Sequence, residues 1–275
     1  MPWRVRERAR LVDAAKAHLV IVPVDDVGPL IAAGGVTIDG RAGKIAEMVD
    51  PGALLDSTPV ELVVPAPMTL AIAYEDDELI VIDKPTAMHV HPIGEFRTGT
   101  VVNELLGHAG ASLREPWAAW RPHTVHRLDR AASGLVLVAK SAAIHETLRR
   151  EFHAIRRVYR ARVHGRVAAE SGTIDAPLAR DPTRPYRAAV VAAGMRAVTH
   201  YKVLERIGDH TLLELELETG RTHQIRAHLA SIGHPIAGDT LYQGGPSAPA
   251  IELRAICLEL AHPRTGDRLV VRAAS

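Results

Sequence analysis

The run Ser133-Gly134-Leu135-Val136-Leu137-Val138-Ala139 constrains this chain more than any other. It is short, rich in Val and Leu, and ends at Lys140-Ser141, which reads as a strand buried on both faces. Such a strand needs packed layers on either side, so the chain must build a sheet with a substantial core. Directly before it stands His126-Arg127-Leu128-Asp129-Arg130-Ala131-Ala132. This places one carboxylate, Asp129, in a short polar loop between two guanidinium groups, at the lip of a rigid strand. A charge on such a base can be held in a fixed geometry. The plainer reading is a loop carboxylate that bonds its own backbone and pairs with Arg127 or Arg130. Asp129 alone does not separate the two.

At 275 residues the chain can carry one sizeable core plus a small extra domain. Its lone Cys257 excludes an intramolecular disulfide, so a reducing compartment is the default. No apolar run approaches the roughly 18 residues of a membrane helix, and Met1-Pro2-Trp3-Arg4-Val5-Arg6-Glu7-Arg8 lacks the apolar stretch of a signal peptide; the expected address is the cytoplasm. Net charge is +1, but it is unevenly spread. Residues 121–206 hold 17 Lys+Arg against 7 Asp+Glu, and the remainder holds 16 against 25. A strong arginine bias, with lysine only 5 of 33 basic residues, explains Arg over Lys but not why the acids lie elsewhere. The asymmetry predicts a polyanion footprint on the middle of the chain.

The first 65 residues read as a separate small module. Val27 to Ala33 predicts a short helix, and Gly35 to Arg41 alternates into an Asp39-Gly40 turn, a hairpin signal. Asp50-Pro51-Gly52 predicts another turn before a strand at Val60 to Val64, and Pro65-Ala66-Pro67 reads as a linker. From there to residue 275 the pattern is a long α+β domain. Leu79 to Asp83 predicts a strand stopped at Lys84-Pro85. Ser141 predicts a helix cap, with Ile144, Leu148, Phe152 and Ile155 on one helical face and Arg149, Arg150, Arg156 and Arg157 on the other. Val158 to His164 alternates, with Tyr159, Ala161 and Val163 on one side and Arg160, Arg162 and His164 on the other. A further strand, Leu213 to Glu218, leads through Thr219-Gly220 into a helix from about Thr222. That helix is expected to bury Ile225, Leu229 and Ile232 and to stop at Gly233.

Three segments carry chemistry in combination: the Asp129 loop, the strand Arg157-Val158-Tyr159-Arg160-Ala161-Arg162-Val163-His164-Gly165, and the turn Glu218-Thr219-Gly220-Arg221-Thr222-His223-Gln224-Ile225-Arg226. Their order and wording resemble the RluA-type pseudouridine synthases, which isomerise uridine within folded RNA. Asp83-Lys84-Pro85 with His91-Pro92, His234 to Tyr242, and Leu258 to Gly266 fit the same family, so the resemblance spans most of residues 80–266. The residues 1–65 resemble a degenerate S4 RNA-binding module, although residues 1–50 hold 7 basic and 7 acidic residues. The chain departs from the family at Ala131 and Ala132, where many relatives carry a polar residue and a threonine. That bears on bonding within the loop and on target choice.

The resemblance implies an α+β fold with a mixed, mainly antiparallel sheet, flanking helices and a central cleft. It also implies that Asp129 is the essential carboxylate, that Tyr159 stacks on the uracil and can serve in the final removal of the C5 proton, and that Arg221 orients Asp129 and keeps it ionised. Arg127 would enter the stack in place of the departed base, with Arg130, Arg157 and Arg160 on phosphates. The partner would be ribosomal or transfer RNA, which an isolated chain can serve as a monomer. No cofactor is implied, since the isomerisation needs no redox change, and no Gly-rich phosphate loop is present. No metal site is expected either: His145-Glu146 begins a zincin-like pattern, but Arg149 stands where its second histidine belongs. Three routes stay open for Asp129: covalent capture of C1′, addition to the base, or abstraction of the 2′ proton to give a glycal. Two other functions compete. One is an RNA-binding protein that has lost catalysis, which the joint presence of Asp129, Tyr159 and Arg221 disfavours. The other is a nucleoside N-glycosidase, for which so basic a band would have little to hold.

Overall fold

The computed structural model describes residues 3–18, 24–32, 34–57, 66–92, 98–109, 123–184, 186–243 and 250–274. The chain divides into two compact units, Met1–Ala66 with Pro92–Thr98, and Pro67–His91 with Gly99–Ser275.

The first unit contains β1 (Trp3–Arg4), β2 (Ala9–Arg10), α1 (Leu11–His18), α2 (Val24–Ala32), β3 (Val36–Ile38), β4 (Arg41–Ala42), β5 (Met48–Val49) and β6 (Leu54–Ser57). One sheet runs β1-β6-β3-β4, and β2 pairs with β5. The β3–β4 hairpin turns at Asp39 and Gly40 with φ of 48° and 84°. Two successive positive φ values make the tight turn whose twist matches its strands, which is why Asp-Gly stands there. Leu11, Ile31, Val36 and Leu55 form the centre of its core. The strand expected at Val60 to Val64 lies outside the described residues.

The second unit is built on one large sheet. Its elements are β7 (Ala71–Glu75), β8 (Leu79–Lys84), α3 (Val101–His108), β9 (His123–Thr124), β10 (Ser133–Ala139), α4 (Ala142–Arg150), β11 (Arg156–His164), β12 (Ser171–Asp175), β13 (Leu178–Arg180), β14 (Ala188–Val190), β15 (Val198–Ile207), β16 (His210–Leu217), α5 (Gln224–Ser231), β17 (Leu253–Ala261) and β18 (Arg268–Arg272). The sheet path is β12-β15-β16-β11-β17-β10-β8-β7, with β9 on β10 and β18 on β17. Among the described residues β10–β17 is its parallel pair and the other pairs are antiparallel, so the sheet is mixed and mainly antiparallel, an α+β architecture. Leu135 to Ala139 are completely or almost completely buried, as their uninterrupted apolar character requires.

Gly134 decides where β10 begins. Its φ is 107°, and a Cβ there would overlap the backbone of Ala255 on β17. Only glycine allows the two strands so close an approach. The Asp129 loop therefore opens off the sheet at the one point where β10 meets a parallel neighbour.

Two helix ends differ from the expected pattern. Ser141 does cap α4, its hydroxyl accepting from the Ile144 amide, but the helix stops at Arg150. Phe152 sits in a single 3₁₀ turn and Ile155 leads into β11, so Arg156 and Arg157 belong to a strand rather than to a basic helix face. In α5, Ile225 and Leu229 are buried, but Ile232 is 40% exposed. It caps a helix that ends at Ser231, one residue before Gly233 with φ of 83° turns the chain away.

Candidate active site

A cavity of about 350 Å³ opens over the sheet of the second unit, walled by the Asp129 loop, β11 and the turn into α5. Its lining includes Asp129, Tyr159, Arg127, Arg157 and Arg221, five of the seven residues singled out in the sequence, together with His223 and Arg226.

The loop is held from beneath. The Ala132 amide donates to the Asp129 carbonyl at 3.1 Å, closing a tight turn. Lys84, at the end of β8, is fully buried, and its Nζ donates to the carbonyls of Pro85 (2.7 Å), Met88 (3.0 Å) and Arg130 (3.4 Å). Burial pulls this ammonium down to about 8, against the opposing pull of the Asp129 charge. Arg130 is exposed, and its Nε donates to the carbonyl of Ala87, which has a φ of 61°. The 85–88 turn and the Asp129 loop are thus tied to each other through backbone carbonyls, which fixes the main chain that carries the carboxylate.

The partner of Asp129 is Arg226, not Arg221. Arg226 Nη1 donates to Asp129 Oδ2 at 2.9 Å, while its Nε and Nη2 make a bidentate pair with Asp239 at 2.7 and 2.9 Å. Burial alone would lower the Arg226 pKa, but Asp239 and Asp129 more than offset it and hold it above the ordinary arginine value. Arg221 precedes the helix. Its amide donates to Gln224 Oε1, and its Nε donates to the Arg196 carbonyl at 3.1 Å, turning the guanidinium along the cavity rim. Arg226 sits one position after Ile225 and three before Leu229, on the buried stripe of α5. A charge on that stripe has to find a carboxylate, a signal that could have singled out Arg226 but that the reading of Arg221 passed over.

Tyr159 faces inward with Ala161 and Val163, as the alternation of β11 requires. Burial raises its phenol to about 12, so at neutral pH the cavity presents a protonated hydroxyl and an apolar ring. Arg157 shares that face and is only 3% exposed. Its guanidinium donates to the carbonyls of Ile155 (3.2 Å) and Leu217 (3.1 Å) and lies 4.3 Å from the centre of the Phe152 ring. It is therefore a fixed part of the wall rather than a surface clamp for phosphate. Arg160 faces the other way. It lines a separate hollow of about 380 Å³ on the reverse of the sheet, with Arg156, Arg254 and Arg272, so it cannot serve a nucleotide beside Asp129. His126 accepts the Leu137 amide on Nε2 at 3.1 Å; burial, aided by Arg157, lowers it to about 4, so the ring is neutral.

The basic band is also narrower than its composition suggests. Arg156 pairs with Glu216, Arg196 with Glu218, Arg206 with Glu170, Arg187 with Asp181, and Arg162 with Glu252. Glu170 and Asp181 come from within residues 121–206, whereas folding brings Glu216 on β16, Glu218 just after it and Glu252 just before β17 from outside that band. Exposed Arg127 stands at the cavity mouth, shared with an adjoining hollow of about 300 Å³ that also holds Arg149 and His91. Among the described residues no group of three or more His, Cys, Asp or Glu is placed to hold a metal ion, and no helix is long and apolar enough to cross a membrane.

Known proteins resemble this chain along most of its length. Residues 78–231 match the family model for RNA pseudouridylate synthases. The chain is 42% identical over 244 residues to an uncharacterized RNA pseudouridine synthase of Bacillus subtilis, covering 85% of this chain and 80% of that one. It is 38% identical over 257 residues to ribosomal large subunit pseudouridine synthase D of Pseudomonas aeruginosa, covering 86% and 79%. Among solved structures, human RNA pseudouridylate synthase domain containing 1 shares the fold with a TM-score of 0.62 at 22% identity, covering 79% of this chain and 86% of that one. A sheet with one tightly tethered carboxylate, paired to a buried arginine and facing an inward tyrosine, joins these matches to one conclusion: the chain belongs to the RNA pseudouridine synthase family, enzymes that isomerise uridine in RNA.

Proposed function

We propose that this enzyme isomerises a uridine of large-subunit ribosomal RNA with Asp129 as its essential carboxylate. The observation that carries the reading is the placement of Asp129 and Tyr159 in one cavity of about 350 Å³, with the carboxylate fixed by Arg226. Relatives named for the ribosomal large subunit favour ribosomal over transfer RNA as the substrate.

The reaction breaks N1–C1′, turns the uracil and joins C5 to C1′; a proton leaves C5 and N1 gains one. A stacked uridine offers none of these atoms, so it must be extruded at a cost of a few kcal/mol. Arg127 at the mouth fills the gap in the stack, and Arg130 beside it takes a phosphate. Tyr159 gives the base an aromatic floor, worth roughly 1–3 kcal/mol in stacking. Arg221, on the rim, contacts the RNA rather than Asp129. The enzyme works as a monomer in the cytoplasm, and residues 1–65 act as an S4-like RNA contact.

The test uses a large-subunit ribosomal RNA transcript labelled with tritium at uracil C5. Tritium release by the unsubstituted enzyme, lost in Asp129→Asn, is the expected result. RNA binding without release would mean a binding protein, and liberation of free uracil would mean an N-glycosidase.

A further inference from the structure

His223 stands at the turn into α5 in a left-handed conformation, φ 54° and ψ 23°, uncommon among non-glycine residues but one that histidine enters more readily than most. That backbone aims its ring. Nδ1 lies 3.2 Å from the hydroxyl of Tyr242, and Nε2 lies 3.8 Å from Asp129 Oδ2, inside the cavity. The hydroxyl of Tyr242 settles which nitrogen carries the proton. It donates its one hydrogen to the Ala188 carbonyl at 2.8 Å and accepts the Ala188 amide at 2.9 Å. Only a lone pair is left for His223, so Nδ1 must be the N–H donor. In the neutral ring Nε2 is then bare, too far from the carboxylate to bond it, and directed at the space a substrate would fill. Burial holds His223 below its ordinary pKa; Asp129 and Asp239 oppose that, and Arg226 and Arg127 reinforce it. The neutral form therefore prevails at pH 7.

We propose that His223 is a further working residue of this cavity, whose bare Nε2 accepts a hydrogen bond from the ribose 2′-hydroxyl of the extruded uridine. This deepens the isomerase reading and rests on it. A uridine within a chain has two hydrogen-bond donors, the 2′-hydroxyl and N3–H. The bond to be broken ends on C1′, so Asp129 serves the ribose side of the nucleotide, and an acceptor 3.8 Å from its oxygen serves that side too. The 2′-hydroxyl is two bonds from C1′, whereas N3 is three bonds away across the base. The contact would also let the site distinguish RNA from DNA at the reacting nucleotide.

Binding tests this without relying on turnover. Two large-subunit transcripts are compared by filter binding, one with ordinary uridine and one with 2′-fluorouridine, which keeps the sugar pucker of RNA but has no donor. The unsubstituted enzyme should prefer the ordinary transcript by about fivefold, the effect of one neutral hydrogen bond. His223→Asn suits the left-handed backbone, keeps a donor toward Tyr242 and has nothing at the place of Nε2. It should bind both transcripts equally while melting at the same temperature as the parent. His223→Gln, whose carbonyl reaches the place of Nε2, should restore the preference. Equal binding of both transcripts by the unsubstituted enzyme, or an unchanged preference in His223→Asn, would overturn the proposal. Loss of tritium release by the unsubstituted enzyme would instead overturn the isomerase reading, whatever the binding ratio.

Discussion

Arg226 grips two carboxylates with one guanidinium, and Asp239, the deeper of the two, is 1% exposed. Replacing Arg226 by Met would strand that charge in the interior, at a cost of about 3–5 kcal/mol, and would free Asp129 from its tether. Arg226→Met should therefore lower the melting temperature sharply and abolish tritium release. Arg221→Ala should leave the melting temperature unchanged and weaken only RNA capture, raising KM with kcat nearly intact. If Arg221→Ala were the one to lose kcat, the assignment of the two arginines would be reversed. At this scale the sequence announced Asp129 and Tyr159, one by its loop and the other by strand alternation. It did not announce which arginine answers the carboxylate, because Arg221 and Arg226 flank the same turn. The choice depends on a helix start at Gln224, a boundary that periodicity locates only to within a residue or two.

The junction of β10 with β17 sets the geometry on which the loop depends. In Gly134→Ala a methyl group would meet the backbone of Ala255, and φ of 107° would be strained even in open space. Backbone cannot yield as a side-chain tip does, so a loss of about 3 kcal/mol or more is expected, read as a lower urea midpoint with an unchanged slope. Tritium release should fall further than stability, since the loop is anchored at that point. Gly134→Ala with parental stability would show that the two strands can separate without cost. Elements with one strict period were legible, as β10 and β11 show. The end of α4 was not: Phe152 and Ile155 continue its apolar spacing through a 3₁₀ turn and into a strand, so the pattern ran on after the helix had stopped. The reverse-facing side of β11 was legible as basic. That its arginines would be matched by glutamates on β16 and β17 depends on sheet order, which local sequence does not encode.

Across the whole molecule, histidines set the response to acid. His126, His91, His223, His228 and His145 all sit below their ordinary pKa, in each case chiefly through burial. A histidine whose folded pKa is depressed contributes stability that is present above its unfolded value of about 6.5 and lost as pH falls toward the folded one. His126, lowered to about 4, accounts for up to about 3 kcal/mol of that loss. Urea unfolding at pH 7, 6 and 5 should show stability declining throughout the series, and a flat profile would show that these rings are hydrated in solution. The shared guanidinium has a wider consequence. A cation held between two anions is neutralised where it stands and exerts little pull on an approaching polyanion. Attraction has to come from the rim, at Arg127, Arg130 and Arg221, where water and mobile ions reach freely. Added salt should therefore slow the arrival of RNA steeply and leave the chemistry of what has already arrived almost untouched.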